Sequence, residues 1–291
     1  MPTDSMVKPQ TADGYPAKAL SLVRATCLYV ATVLGNLADD GLVIVGGFVP
    51  QLIVPQDSVG GLESERHVGT RDLDLGLSLA LIETEQYHEV ADRLRGAGFA
   101  PDQNNNGRPT RQRWVTPASA GIQVRVDFLI PPPPNTAEPS IRGGQIFDLE
   151  PDFAACIIPG LELAWRDRIP VEITGQTIRG EHATRTVWVC GPGAFLVLKA
   201  LAFSDRGEPK DAYDLFYIAR NYGAGPHDVA AALIALRDHP TTVKAIEILQ
   251  RDFTGVDGVG PHRVGAFLQR QDEELRADVV AFIGEVLRQV E

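Results

Sequence analysis

Apolar residues recur at helical spacing through residues 18–39, where Leu20, Val23, Cys27, Val30, Val33, Leu34 and Leu37 form one stripe. That stretch reads as an amphipathic helix ended by Gly41. Leu42-Val43-Ile44-Val45 is fully apolar between glycines, the pattern of a central strand buried on both faces. It runs into Gly46-Gly47, after which residues 48–54 start a second helix, with Pro50 tolerated in its first turn. Gly60-Gly61 marks a surface loop. From Asp72 to Leu79 the pattern changes to period two: Leu73, Leu75, Leu77 and Leu79 face one way, Asp72 and Asp74 the other.

Residues 83–96 predict a helix with Thr84 as N-cap, closed by Gly96-Ala97-Gly98. Residues 99–121 hold a strand or two around an Asn-Gly turn. Ile122, Val124, Val126, Phe128 and Ile130 then alternate with Gln123, Arg125, Asp127 and Leu129, giving a second alternating strand with Asp127 on its polar face. Pro131 stops it. Residues 135–190 mix short apolar runs with Gly and Pro and predict several strands, 171–173 and 186–189 among them. From Gly191 the texture is helical: 194–203, 209–221, 227–237, 241–251 and 264–290, the last open to a break. The expected organisation is α/β: a flexible tail over 1–17, a mixed-sheet domain over 18–190 with a β-rich insert near 135–185, and a helical bundle over 191–291.

At 291 residues the chain sits near the size at which one core divides into two. No run reaches the roughly 18 uninterrupted apolar residues of a membrane span, so no membrane is expected. Residues 1–9 mix acid and base without an apolar signal region, which points to the cytoplasm. Cys27, Cys156 and Cys190 are odd in number and far apart, fitting buried thiols better than a disulfide framework or a zinc site. A net charge of −11 argues against nucleic-acid attraction over the whole surface. Positive charge is nonetheless concentrated in two places: Arg108, Arg111, Arg113 and Arg125, and then Lys199, Arg206 and Lys210.

The chemistry centres on carboxylates. Asp72 and Asp74 are separated by one residue on a strand and so project from the same face about 6 to 7 Å apart, suited to a hard divalent cation. A strand whose other face is a leucine row is expected to be central, and a central strand rarely carries aspartates without a cation to pair them. Asp127 on a neighbouring strand is the natural third carboxylate. Gly46-Gly47, between strand and helix, either lets backbone N–H groups approach a triphosphate or serves as a plain turn. Lys199 lies on an otherwise apolar helix, where it must reach water or an anion such as a polyphosphate. Lys210 and Asp214 have i, i+4 spacing for a salt bridge, and Asp211 sits where a helix dipole favours acid. Arg206, between two helices, can reach a phosphate or a terminal carbonyl. The histidines, His67, His88 and His182 among them, show no ligand spacing and receive no catalytic role.

Taken in order, Gly46-Gly47, Thr70-Arg71-Asp72-Leu73-Asp74-Leu75 and Val126-Asp127-Phe128 resemble the signature of the DNA polymerase β-like nucleotidyltransferase superfamily. Leu198-Lys199-Ala200-Leu201-Ala202, Arg206 and Lys210-Asp211-Ala212-Tyr213-Asp214-Leu215 are similar to the helix pair of AbiEii-type toxins, whose relatives extend the acceptor ends of tRNA. The resemblance implies a nucleotidyltransferase-fold mixed sheet with a C-terminal helical bundle. It also implies a reaction that moves a nucleotidyl group from an NTP and releases pyrophosphate. Mg²⁺ or Mn²⁺ would sit on Asp72, Asp74 and Asp127, with Gly46, Gly47, Arg71, Lys199 and Arg206 at the nucleotide and Lys199 and Asp211 among the catalytic residues. RNA, at the tRNA 3′ end, is the implied acceptor and a cognate antitoxin the implied partner. Rival readings are transfer to a small molecule or a protein side chain, and a non-catalytic nucleotide-binding regulatory module. One departure is that Phe48 follows the glycine pair and Asp72 lies far beyond it in sequence.

Overall fold

The computed structural model describes residues 8–57, 66–104, 106–116, 123–134, 144–270 and 272–291. The expected Gly60-Gly61 loop, Ile122 and the first part of the β-rich stretch lie outside the described residues. Helix α1 spans Ala17–Leu34 and stops at Gly35, whose φ of 56° no β-carbon-bearing residue adopts readily. A short α2 (Leu37–Gly41) follows, so the single predicted helix is two. By length and composition α1 could cross a membrane. Its stripe of Val23, Cys27, Leu28, Val30 and Leu34 is buried, however, and α1 packs across three strands of the sheet, making it a core helix.

Strand β1 (Leu42–Val45) enters the 3₁₀ turn Gly46–Phe48 and α3 (Val49–Ile53). Strand β2 is Asp72–Leu77. The predicted 83–96 helix is again two: α4 (Leu79–Glu83), capped by the Ser78 hydroxyl accepting from the Leu81 N–H, and α5 (Tyr87–Gly96). Thr84 ends α4 rather than opening a helix, and Glu85 with φ 56° makes the break. Strands β3 (Ala100–Gln103) and β4 (Pro109–Val115) form the expected hairpin. The Asn104 side chain accepts from the Asn106 and Arg108 N–H groups in its turn, and Gly107 sits at φ 70°. Strand β5 is Arg125–Ile130.

The β-rich stretch supplies β6 (Ile146–Glu150), β7 (Phe153–Ile157), the short α6 (Leu163–Arg166), β8 (Arg168–Gln176) and β9 (His182–Cys190). These strands join one sheet, ordered β3-β4-β5-β2-β1-β9-β8, with β7 pairing β5 and β6. Helices α7 (Pro192–Arg206), α8 (Pro209–Asn221), α9 (Pro226–Ile234), α10 (Pro240–Phe253), α11 (Val259–Leu268) and α12 (Glu273–Val290) complete the chain. The predicted 264–290 helix breaks where Gln269 takes φ 54° and the Asp272 carboxylate caps α12 through the Leu275 N–H. Residues 8–16 fold against the body, with Tyr15 packed on Phe267 and Gln10 bonded to Glu208.

The register fixes the site. Strand β2 lies between β1, antiparallel, and β5, parallel. Leu73, Leu75 and Leu77 are all buried, each contributing about 1.5–3 kcal/mol of apolar transfer. Their alternation forces Asp72 and Asp74 onto the opposite face. Strand β5 is held by edge-to-face contacts among Trp114, Phe128 and Phe153, with centroids 4.9 to 6.0 Å apart. Phe128 in the core leaves its neighbour Asp127 on the polar face.

Candidate active site

Asp74 is the Cα partner of Asp127 across β2 and β5, and of Val45 across β1 and β2. The first pairing gathers the carboxylates on one face. The second brings Gly46, the residue after Val45, beside Asp74 despite their distance in sequence. A β-carbon on Gly46 would lie 1.9 Å from Asp74 Oδ2, and Gly46 has φ 73°. Only glycine fits there on both counts. A β-carbon on Gly47 would come 3.0 Å from Thr70 Oγ1 and 3.3 Å from Lys210 Nζ. The turn therefore packs directly against both groups of charged residues.

A cleft of about 410 Å³ opens over this face, and its wall includes Gly46, Gly47, Arg71, Asp72, Asp74, Asp127, Lys199, Arg206 and Asp211. Every residue singled out from the sequence for metal, nucleotide or catalysis borders it. Lys8, Tyr15, Arg113 and Lys210 line it too.

Lys199 is no snorkelling surface lysine: it is 7% exposed, with Nζ 2.9 Å from Asp211 Oδ1 and 2.7 Å from Asp214 Oδ2. Arg206 grips Asp211 with two hydrogen bonds, of 2.6 and 2.8 Å. Lys210 reaches both oxygens of Asp214, at 2.7 and 3.0 Å. Burial works to raise the Asp211 carboxyl, but Lys199 and Arg206 outweigh it and hold the group at about 2. Asp214 likewise stays ionised, burial notwithstanding, between Lys199 and Lys210. Lys199, Arg206 and Lys210 are thus gathered around Asp211 and Asp214 on this wall of the cleft.

Two partners of these carboxylates carry no signal in the sequence spacing. His67 is buried, its Nε2 2.8 Å from Asp214 Oδ1, and the Gly69 N–H donates to its Nδ1. Burial holds the imidazole down at about 4, so it is neutral and Nε2 carries the proton. Arg113 binds Asp127 through Nε to Oδ1 at 2.6 Å and Nη2 to Oδ2 at 2.8 Å. Ligand spacing could not reveal either pair; only the alternation of Trp114 and Arg113 on β4 hinted that Arg113 faces the carboxylates. The basic cluster of residues 108–125 is largely paired internally, since Arg125 meets Asp102 and Arg111 meets Asp148.

Asp74 is pushed up to about 6, first by burial and then by the charge of Asp127. Among the described residues its carboxylate accepts no hydrogen bond. Asp72 has Lys8 at 4.0 Å. A half-buried carboxylate facing the cleft beside a second one fits a hard cation. Among the described residues, no three acidic, histidine or cysteine ligands are gathered closely enough to hold an ion, and Arg113 engages Asp127.

A mixed sheet with a carboxylate face, a glycine turn against it and a cationic helical wall define a protein of nucleotidyltransferase type. Residues 66–291 match the family described as nucleotidyl transferase AbiEii toxin, type IV TA system. The chain belongs to the AbiEii nucleotidyl transferase toxin family. The match runs through the C-terminal helices and begins beyond the Gly46-Gly47 turn, whose place rests on the geometry above. A comparison with curated proteins found no match.

Proposed function

We propose that this cleft moves a nucleotidyl group from an NTP to an RNA acceptor, the tRNA 3′ end foremost, with release of pyrophosphate. The observation that carries the reading is the β2–β5 register, which sets Asp72, Asp74 and Asp127 on one face opposite Lys199. Asp72 and Asp74, joined by Asp127, would hold Mg²⁺ or Mn²⁺. That ion supplies charge neutralisation on the triphosphate and acidifies a bound hydroxyl.

The chain's own residues do the rest. The acceptor oxygen attacks the α-phosphorus in line, the bond to the bridging oxygen breaks, and pyrophosphate leaves with that electron pair. Asp127 takes the acceptor's proton. Lys199, Arg206 and Arg71 carry the phosphates, Asp211 orients Lys199 and Arg206, and the Gly46-Gly47 backbone borders the triphosphate. The family's type IV system implies a cognate antitoxin as partner, and we place the reaction in the cytoplasm.

The test is incubation of the protein with each α-³²P-labelled NTP, Mg²⁺ and total tRNA, beside Asp72→Asn. Label on RNA with wild type alone is the expected result. Absence of label from RNA, with label on an added cationic small molecule or on protein, would replace the acceptor. The internal pairing of Arg111, Arg113 and Arg125 makes that second reading worth including.

A further inference from the structure

The Arg113–Asp127 pair stands where the proposed metal site needs its third carboxylate. The two residues are direct cross-strand partners on β4 and β5, so backbone pairing delivers the guanidinium to that position. Trp114, fully buried beside it, fixes which face of β4 Arg113 occupies. Both Asp127 oxygens are taken in a fork. Neither side chain is sealed in: exposures are 29% for Arg113 and 14% for Asp127, and both border the cleft. A pair open to solvent can exchange partners, which a fully buried one cannot do cheaply.

The neighbouring acids sharpen the point. Lys8 stands 4.0 Å from Asp72, and Asp74, the cross-strand neighbour of Asp127, accepts no side-chain hydrogen bond among the described residues. Side-chain cations thus flank the carboxylate face on both sides while its centre is unmatched. A divalent ion drawn to Asp72 and Asp74 would repel the guanidinium at Asp127 and compete with it for the same oxygens. Displaced, a planar five-donor fork would be left facing a cleft shaped for phosphates, which it binds as readily as carboxylates.

We propose that Arg113 is an internal counter-cation that holds Asp127 until divalent metal takes its place, and that the released guanidinium then grips the triphosphate. This inference rests on the metal-and-NTP reading above. Its signature is two effects of opposite sign: loss of Arg113 strengthens metal binding and weakens phosphate binding. A merely structural arginine would weaken both or neither.

The experiment is a Mn²⁺ titration of the full chain by electron paramagnetic resonance at pH 8, for wild type, Arg113→Met, Arg113→Lys and Asp72→Asn. Calorimetry with inorganic tripolyphosphate at saturating Mn²⁺ follows for the same proteins. Arg113→Met is expected to bind Mn²⁺ about two- to fivefold tighter, the scale of one partly exposed charge pair. It should bind tripolyphosphate about tenfold more weakly, the scale of a charge-assisted fork. Arg113→Lys should fall between on both. In unaltered protein, the Arg113 Nε–H resonance should move when Mg²⁺ is added, an observation that needs no variant to fold.

Unchanged or weaker Mn²⁺ binding by a folded Arg113→Met, or an Nε–H resonance indifferent to Mg²⁺, overturns the proposal. Tighter Mn²⁺ with unaltered tripolyphosphate overturns the handover to phosphate. Wild type binding Mn²⁺ no better than Asp72→Asn overturns the metal reading itself, a result distinct from either.

Discussion

His67 Nε2 donates to Asp214 Oδ1 at 2.8 Å, although 147 residues separate the two. The His67 backbone N–H meets Tyr217 Oη, and the Val68 N–H meets Tyr213 Oη. The segment leading into β2 is therefore clasped onto α8, and the clasp ties the carboxylate strand to the helix that carries Asp211 and Lys210. Asp214 is the hinge point, since it answers His67, Lys199 and Lys210 together.

This clasp has a pH signature. The folded imidazole titrates at about 4, below its ordinary 6.5. The unfolded state thus takes up a proton first as pH falls, so the stabilisation is complete above 6.5 and is lost between 6.5 and about 4. The amount at stake is a few kcal/mol, at about 1.4 kcal/mol per pH unit. His67→Gln should be about 1–3 kcal/mol less stable at pH 7.5 yet lose less stability between pH 6.5 and 4.5. Denaturant melts across that range decide it: equal slopes for the two proteins would remove His67 from the account.

Asp74 predicts a trade of stability for function. Its folded carboxyl is raised to about 6 from 3.8, chiefly by burial, so ionising it costs the fold stability as pH rises from 3.8 through 6. Without metal at pH 8, Asp74→Asn should gain about 1–3 kcal/mol and melt a few degrees higher. The gain should vanish below pH 4. Mg²⁺ should raise the wild-type melting temperature and leave the variant's alone. A variant less stable than wild type at pH 8 would contradict the burial argument.

At Gly46 two costs coincide, a left-handed φ and a β-carbon 1.9 Å from Asp74 Oδ2. Gly107 shares the φ, at 70°, but faces open space. Gly107→Ala should therefore cost about 1 kcal/mol of strain and leave transfer intact. Gly46→Ala should cost more, about 2–4 kcal/mol, and abolish transfer because Asp74 must move. Equal stabilities for the two variants would mean that Asp74 accommodates the methyl.

The pattern of the chain made much of this legible because its strands obey period two. Leu73, Leu75 and Leu77 against Asp72 and Asp74, and Phe128 against Asp127, define faces without any knowledge of neighbours. What periodicity cannot supply is register. The β1–β2 pairing that puts Gly46 on Asp74, the β4–β5 pairing that puts Arg113 on Asp127, and the loop that carries His67 to Asp214 are all long-range. Helix breaks at Gly35 and Glu85 escape the pattern for a related reason: an apolar stripe continues across a kink when both pieces pack on one core, whereas the 264–290 stretch, left open to a break, does break at Gln269. The β-rich stretch looked irregular because β8 and β9 bury little on one side, so their alternation is weak.

The Lys199 cluster separates structural from catalytic charge. Lys199→Met fills similar volume and leaves each aspartate paired, Asp211 with Arg206 and Asp214 with Lys210 and His67. Replacing a buried ion with an apolar isostere is often close to neutral, so the loss should stay within about 1–2 kcal/mol. Asp214→Ala instead strands Lys210 and the His67 N–H and leaves Lys199 with Asp211 alone, and should cost about 3–5 kcal/mol. Transfer should respond in the other proportion, falling at least about a hundredfold in Lys199→Met because a phosphate contact made in the transition state is gone. Urea melts and a transfer assay on both variants check it. A Lys199→Met protein as unstable as Asp214→Ala would make Lys199 a structural ion, whereas a stable and active one would take it out of the triphosphate site.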